Sequence, residues 1–270
     1  MTATSDRGGP AAQNWADQLA EWAIPQEILD AAPESPWHFP PALFVAPTPS
    51  DEPDTPSKLR AAEAVPPGGS VLDVGAGGGA ASIRLAPPAD HVTAFDEGAD
   101  MLESFATRAE ELGIRHAEIH GRWPDVADQA PIVDVVVSHH VLYNVPDVGD
   151  FVLALTQHAR RRVVVEIGAT HPMSLQAPLW KHFHDLDRPN GPTADDAIAV
   201  FREVGLDVES ERWTRVARPA DVDRSQRVAF VRRRLCLPAE RDPEVDALLP
   251  DASFQGPREV VTIWWPGTAG

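Results

Sequence analysis

A short apolar run that ends in closely spaced glycines constrains this chain more than any other feature. The run covers residues 70–74, and after it come Gly75, Ala76, Gly77, Gly78 and Gly79. Such a run predicts a buried strand, and glycine lets a ligand approach the backbone closely because it has no Cβ atom. We expect residues 79–86 to form a helix whose first N–H groups face that ligand.

The segments after this loop alternate in character up to residue 168. We predict further strands at 91–96, 115–120, 132–138 and 162–167, and helices at 57–65, 79–86, 99–112 and 149–159. This alternation is typical of an α/β domain with a parallel sheet and right-handed crossovers. Beyond residue 168 we expect helices at 171–186, 193–204, 221–235 and 241–249, and strands at 206–216 and 259–265.

The N-terminal part of the chain is rich in proline. Eight of the 27 prolines lie between Pro33 and Pro56, which excludes a continuous helix or a central strand there. Trp15 and Trp22 lie at roughly helical spacing before this stretch. We expect residues 1–56 to form a helix and a Pro-rich arm, acting as a wrap or as a lid over the ligand site.

Charge and cysteine content narrow the classes of partner. The chain has 270 residues, 41 acidic and 23 basic side chains and a net charge of −18, which disfavours nucleic acid as a partner. The basic run considered as an exception is Arg232 to Arg234. No apolar run approaches the ~20 residues that span a membrane. Cys236 is the only cysteine, which favours a cytoplasmic location.

Asp73, two residues before the first glycine, distinguishes between ligand classes. The glycine spacing also fits the dinucleotide fingerprint of NAD-binding proteins. A carboxylate at the mouth of the loop would repel a pyrophosphate by about 1–4 kcal/mol per charge pair, whereas it suits a ligand that carries an ammonium group. Asp96 follows 21 residues after Gly75, at the position where a carboxylate holds ribose hydroxyls.

At these residues the sequence resembles the class I S-adenosylmethionine-dependent methyltransferases of the small-molecule type, whose first motif is D/E-x-G-x-G-x-G. The resemblance implies a Rossmann-like, mostly parallel seven-stranded sheet with helices on both faces and an antiparallel last strand. We expect the methyltransferase domain at 57–270, with 169–190, which no motif of the family covers, as an insertion that caps the substrate. The resemblance covers residues 57–168 well. For residues 190–266 it rests only on the order of the helices and strands.

The same resemblance assigns cofactor contacts. It implies that Asp96 holds the ribose, that Met101 packs on the adenine and that Trp123 stacks on it, although Arg122 stands where an acidic residue is usual. Ordinary core packing is the alternative for Met101. The expected cofactor-binding residues are Asp73, Gly75, Ala76, Gly77, Gly79, Asp96, Glu97, Met101, Arg122, Trp123 and Ser138.

The residues after the fourth strand would face the transferred methyl group. His140 is our first candidate for a general base or an acceptor-orienting group, followed by His139 and Tyr143; His171 and Glu166 are further candidates. Packing beneath the cofactor is the alternative for each histidine. We expect no metal site, because His182 and His184 are two residues apart and do not share a helix face.

We therefore predict methyl transfer from S-adenosylmethionine to a small-molecule acceptor by in-line displacement, in a monomer or homodimer. Two alternatives remain at this point. One is a domain that binds S-adenosylmethionine without catalysis. The other is an NAD-dependent oxidoreductase, which the glycine spacing alone supports.

Overall fold

The computed structural model describes residues 8–37, 54–215, 223–249 and 257–270. Within them, seven strands form one sheet in the order β3-β2-β1-β4-β5-β7-β6. The strands are β1 (Gly69–Val74), β2 (Ala89–Asp96), β3 (Arg115–His120), β4 (Val133–His139), β5 (Ala159–Gly168), β6 (Glu209–Arg215) and β7 (Arg258–Pro266). Strands β1 to β5 pair in parallel, and β7 runs antiparallel to both β5 and β6. The predicted fold class is confirmed.

Helices cover both faces of this sheet. They are α1 (Pro10–Ala20), α2 (Gln26–Ala31), α3 (Pro56–Ala62), α4 (Ala99–Glu111), α5 (Val148–His158), α6 (Ala177–His184), α7 (Ala194–Glu203), α8 (Arg224–Arg234) and α9 (Asp242–Leu248). One apolar layer joins the sheet to α1, α5 and α7, and the other joins it to α3 and α4. Trp265 lies in the first layer and Trp264 in the second, as expected for neighbours in a strand. None of the described helices is long and apolar enough to cross a membrane.

The connection from β1 to β2 differs from its prediction. Instead of an α-helix over 79–86, the chain forms turns and a single 3-10 turn at Ile83–Leu85. Pro87 and Pro88 follow immediately, and proline lacks the N–H that a continuing helix needs. Ala86, which precedes Pro87, is accordingly extended, with φ −109° and ψ 112°, so no helix continues toward β2.

The predicted helix at 171–186 is also divided. A 3-10 turn occupies Pro172–Gln176, and α6 follows it with Pro178 in its first turn. The side chains of Met173, Leu179 and Trp180 pack with Trp22 of the N-terminal segment and with residues of α8 and α9 in a third apolar cluster. The segment 169–190 thus lies in a small unit beside the sheet, and its capping role stays a prediction.

The N-terminal helix α1 is fixed to the main domain. Trp15 is fully buried, its indole Nε1 donates to the carbonyl of Val145 at 2.8 Å, and its ring stacks on Tyr143. The backbone N–H groups of Ala11 and Ala12 donate to the carboxylate of Glu203. These contacts hold α1 on the main domain, and the choice between a wrap and a lid stays a prediction. The expected Pro-rich arm falls largely on residues 38–53, which lie outside the described residues.

The basic run at the end of α8 makes intramolecular contacts. Arg232 is buried and pairs with Glu34 at 2.5 Å and with Asp242 at 3.1 Å. The guanidinium of Arg234 lies over the ring of Trp37. These arginines therefore bind residues 34–37 to α8, which accounts for the run without an external anion.

Candidate active site

The glycine loop lies against the end of β2. The N–H groups of Gly75 and Ala76 both donate to the carbonyl of Phe95, at 2.8 and 3.1 Å. Gly75 has φ +73°, and a Cβ atom there would lie 2.3 Å from Cγ2 of Val141. Gly77 has φ +51°, and a Cβ atom would meet nothing within 4 Å. The first glycine is therefore required by packing, whereas the second borders open space that a ligand can fill.

Asp96, the last residue of β2, is bonded to the loop. Its Oδ2 accepts a hydrogen bond from the backbone N–H of Gly77, and its Oδ1 accepts one from Gly98, both at 2.8 Å. Each carboxylate oxygen has a second lone pair. Asp96 can therefore hold the loop and still accept hydrogen bonds from a ligand hydroxyl.

Asp73 is completely buried in β1, and neither of its carboxylate oxygens has a hydrogen-bond partner among the described residues. Burial raises the pKa of Asp73 to about 7; the neighbouring hydroxyl of Ser82 lowers it, and the charge of Asp96 raises it. An unpartnered buried carboxylate costs roughly 1–3 kcal/mol or more. A cationic group brought to this loop would relieve that cost, as the sequence argument for an ammonium ligand requires.

Other predicted cofactor residues surround the loop with different degrees of burial. Glu97 and Arg122 are exposed and face each other, with Nε of Arg122 3.9 Å from Oε1 of Glu97. Met101 is half-buried at the start of α4. Ser138 is fully buried, and its hydroxyl donates to the carbonyl of Val74 at 2.9 Å. Ser138 therefore joins the ends of β1 and β4.

Trp123 occupies a different environment from the one expected for an adenine-stacking residue. Only 5 % of its surface is exposed, and its ring makes edge contacts with Phe95 and His158. Its Nε1 donates to the carbonyl of Phe151 at 3.3 Å. This is the placement of a core side chain, and the stacking role stays a prediction that the packing disfavours.

A cavity of about 110 Å³ opens next to the loop. Gly75, Ala76 and residues 80–84 form one wall, and Thr55 and Lys58 at the start of α3 form another. The remaining lining residues are His139, His140, Glu166 and Arg215. Because carboxyl ends of parallel strands share one edge, β1, β4 and β5 bring their residues together here.

A compact group of ionisable side chains forms the floor of this cavity. Glu166 is 3 % exposed, and its Oε1 lies 2.9 Å from Nε2 of His140 and 3.6 Å from Nη1 of Arg215. Burial raises the pKa of Glu166, but its imidazole neighbours, including the hydrogen bond from His140, lower that pKa below its usual range. Glu166 is therefore ionised at neutral pH.

His139 and His140 differ although they are neighbours in sequence. Burial lowers the pKa of His139 to about 4, although Glu166 raises it, so His139 is neutral at pH 7. The side chain of His140 is 44 % exposed and its backbone has φ +60°. Its N–H donates to the carbonyl of Glu166 at 2.7 Å, which fixes the turn after β4.

Tyr143 and His171 lie apart from the cavity lining. The hydroxyl of Tyr143 donates to the carbonyl of Gly168 at 2.8 Å, and burial raises the pKa of Tyr143 above its usual range. His171 stacks on Trp22 at 4.0 Å, and burial lowers the pKa of His171 to about 3. The structure thus brings His139, His140 and Glu166 together and places these two rings in the packing beneath α1.

Sequence reasoning missed Arg215, Lys58 and Thr55. Arg215 ends β6, which runs parallel to β5 because β7 is antiparallel to both. Its arrival at the cavity depends on that sheet order, and only the position of Arg215 at a predicted strand end could have indicated it. Lys58 is one of two lysines in the chain and pairs with Asp54 at 2.5 Å.

The candidate metal ligands near residue 184 have other partners. Nε2 of His182 lies 2.9 Å from Glu244, and Nε2 of His184 lies 2.7 Å from the carbonyl of Leu235. Lys181 pairs with both Asp185 and Asp187. Across the described ranges, no group of three or more His, Cys, Asp or Glu side chains could hold a metal ion.

Comparison with known proteins agrees with this geometry. Residues 71–163 match the family model described as a methyltransferase domain. The chain is 33 % identical over 95 residues to an uncharacterised protein of Haemophilus influenzae, a match that covers 35 % of each chain. It is 29 % identical over 103 residues to the ubiquinone biosynthesis O-methyltransferase of Rickettsia canadensis, covering 38 % of this chain and 43 % of that protein. The matches therefore span less than half of either relative.

The YcgJ protein of Bacillus subtilis shares the fold, with a TM-score of 0.54 and 15 % identity over 79 % of this chain and 98 % of that one. A Rossmann-like sheet with a glycine loop and two acidic residues at the ends of β1 and β2 defines a nucleotide-type cofactor domain. Residues 71–163 are thus similar to a methyltransferase domain, and the fold around them agrees with that of the class I S-adenosylmethionine-dependent methyltransferases.

The residues present fit the cofactor of this family, which is S-adenosylmethionine. The open space above Gly77 leaves the backbone accessible to it. The unpartnered carboxylate of Asp73 suits its ammonium group, and Asp96 suits its ribose hydroxyls. When bound, S-adenosylmethionine supplies an electrophilic methyl group on a sulfonium.

Proposed function

We propose that this protein transfers the methyl group of S-adenosylmethionine to a small-molecule acceptor held in the cavity next to the glycine loop. One observation carries the proposal. The open cradle at Gly77, with two carboxylates below and beside it, adjoins a cavity that contains His139, His140 and Glu166. A cofactor in the cradle and an acceptor in the cavity would be neighbours, as in-line displacement requires.

Each part of the cradle has a role in this proposal. Asp96 holds the ribose and keeps the loop in position through Gly77. Asp73 compensates the positive charge of the cofactor from beneath the loop. Met101, which is half-buried at the start of α4, packs on the adenine in this proposal. Glu97 and Arg122 lie at the exposed rim, where they contribute less to affinity.

A small acceptor is supported by the size of the cavity and by the charge of the chain. A volume of about 110 Å³ admits a few heavy atoms beside the cofactor, and a net charge of −18 disfavours a nucleic-acid substrate. The partly similar protein of Rickettsia canadensis is named an O-methyltransferase, which supports an oxygen acceptor. Cytoplasmic location and a monomeric or homodimeric state stay predictions.

The oxidoreductase alternative has less support. It needs a pyrophosphate next to Asp73 and a helix N-terminus to bind it, and residues 79–86 form no α-helix. A domain that binds the cofactor without catalysis shares the cradle but does not explain the ionisable group around Glu166.

Isothermal titration of the full chain tests the proposal. S-adenosylmethionine and S-adenosylhomocysteine should both bind with one site per chain, and NAD⁺ should not bind at the same concentrations. Binding of NAD⁺ alone would overturn the cofactor assignment. Release of S-adenosylhomocysteine in the presence of a panel of small hydroxyl compounds then tests turnover.

A further inference from the structure

The cavity next to the glycine loop has a charge balance opposite to that of the whole chain. Three cationic side chains line it, those of Lys58, Arg84 and Arg215, and Glu166 is the only carboxylate among the described residues that line it. Over the sequence as a whole, acidic side chains outnumber basic ones by 41 to 23. The positive charge is therefore concentrated at the cavity, where it favours an anionic ligand.

Two of these cations already share one carboxylate at the wall. The Nζ atom of Lys58 lies 2.5 Å from Oδ1 of Asp54, and Nη2 of Arg84 lies 3.4 Å from the same oxygen. The side chain of Asp54 is 49 % exposed, so water weakens both pairs. Lys58 and Arg84 therefore add positive potential to the cavity, and the third cation is the one best able to bind an anion directly.

Arg215, the last residue of β6, keeps most of its hydrogen-bond donors available. Its Nη1 lies 3.1 Å from Nε2 of His140 and 3.6 Å from Oε1 of Glu166, and the second distance is too long for a hydrogen bond. A guanidinium has five N–H donors in a planar fork that matches a carboxylate. Since the side chain is 41 % exposed, a ligand can reach the donors of Nε and Nη2.

The sheet order places Arg215 on the side of the cavity away from the cofactor cradle. The cradle lies at the ends of β1 and β2, where Asp96 accepts from Gly77. Strand β6 is four positions from β1 in the sheet, which is roughly 19 Å at about 4.8 Å per strand. Arg215 therefore approaches the cavity from the side where the acceptor, and not the cofactor, would lie.

We propose that the acceptor carries a carboxylate, which pairs with Arg215 while another atom of the same molecule is methylated. This inference rests on the proposed function and names the class of its substrate, a small carboxylic acid. An oxygen that accepts charged hydrogen bonds from a guanidinium has its lone pairs occupied and is a weaker nucleophile. The carboxylate is therefore the group that orients the acceptor, and it is not the group that receives the methyl.

Calorimetry with matched ligand pairs tests the inference. The full chain, saturated with S-adenosylhomocysteine, is titrated with acetate, benzoate and salicylate, and in parallel with the amide of each acid, which has nearly the same shape and no charge. At least one acid should bind about tenfold more tightly than its amide, as a charge-assisted hydrogen bond predicts. The inference is overturned if each acid binds no more tightly than its amide.

Two variants assign the preference to Arg215. Arg215→Gln removes the charge and should abolish the preference for the acid, whereas Arg215→Lys keeps the charge without the planar fork and should retain part of it. Arg202→Gln, at an exposed arginine of α7, is the matched control and should bind as wild type does. An unchanged preference in a folded Arg215→Gln variant would contradict the role of Arg215. If that variant does not fold, the comparison of acid and amide in wild type still decides.

The cofactor has a carboxylate of its own, and titration of S-adenosylhomocysteine into the same proteins separates the two sources. Arg215→Gln should bind S-adenosylhomocysteine as tightly as wild type does. A loss of that affinity would show that Arg215 holds the cofactor, which would overturn the assignment to the acceptor. If wild type does not bind S-adenosylhomocysteine, the proposed function fails, and the acid and amide titrations without it still report on Arg215.

Discussion

The carboxylate of Asp96 accepts a 2.8 Å hydrogen bond from the backbone N–H of Gly77. The end of β2 is thereby joined directly to the loop that follows β1. Asp96, which is suited to bind the ribose, therefore also holds the glycine loop in its conformation. Removing it should therefore weaken cofactor binding in two ways.

Asp96→Ala should weaken S-adenosylmethionine binding at least tenfold, which corresponds to about 1.4 kcal/mol. The variant loses the ribose acceptor and the hydrogen bonds to Gly77 and Gly98. Isothermal titration measures the change, with Asp207→Ala, an exposed acid after α7, as the control. Equal affinity in the two variants would contradict the ribose assignment.

Gly77→Val should lose cofactor binding, whereas Gly75→Ala should lose stability. At Gly77 the added side chain enters open space where the cofactor would lie, so binding should be lost with a small loss of stability from the positive φ. At Gly75 the added Cβ meets Val141, so the melting temperature should fall sharply. Paired melting curves and titrations separate the effects. Retained binding in Gly77→Val would place the cofactor elsewhere.

Asp73→Asn should stabilise the cofactor-free chain at pH 8 and weaken cofactor binding. The pKa of Asp73 is raised from 3.8 to about 7 in the folded chain, so the folded state binds that proton more tightly than the unfolded state. This contribution to stability is therefore lost as pH rises from about 4 to about 7. The shift corresponds to at most ~4 kcal/mol, and a buried unpaired amide offsets part of the gain.

Melting curves of wild type and Asp73→Asn at pH 5 and pH 8 measure this effect. The variant should gain about 2–3 kcal/mol relative to wild type at pH 8 compared with pH 5. The same difference at both pH values would show that Asp73 does not titrate in this range.

Trp15→Ala should destabilise the protein by about 3–5 kcal/mol, as expected for truncation of a fully buried tryptophan. The substitution removes the hydrogen bond to Val145 and the stack on Tyr143. Urea denaturation measures the loss, and Leu59→Ala, at a side chain that is 47 % exposed, is the control. A loss below ~1 kcal/mol would support a mobile lid at α1 in place of a wrap.

The local sequence pattern was sufficient to predict the sheet and part of the candidate site. The apolar run of β4 and the glycines after β1 identify the strand ends where Asp73, Asp96 and His139 lie, because strand direction alone places them at one edge. The predicted helix at 79–86 was wrong. The pattern of Ala80 to Ala86 is compatible with a helix and does not show the effect of the prolines that follow.

Tertiary contacts account for the remaining differences. The motif position of Trp123 does not show which way its ring turns, and in the structure Phe95 and His158 surround it. The difference between His139 and His140 is likewise invisible in sequence. It arises because the side chain of His139 is 16 % exposed, whereas that of His140 is 44 % exposed and lies 3.1 Å from Arg215, which comes across from β6.

The short connection from β1 to β2 affects the electrostatic potential at the glycine loop. A regular α-helix would place about half a positive charge of its macrodipole next to the glycines, and that charge is what draws a pyrophosphate to such loops. With only the turn Ile83–Leu85 behind it, this loop has no such source of positive potential. The carboxylates of Asp73 and Asp96 therefore act on the loop without an opposing helix dipole, which disfavours a doubly charged anion at Gly77, whereas Lys58, Arg84 and Arg215 line the adjoining cavity.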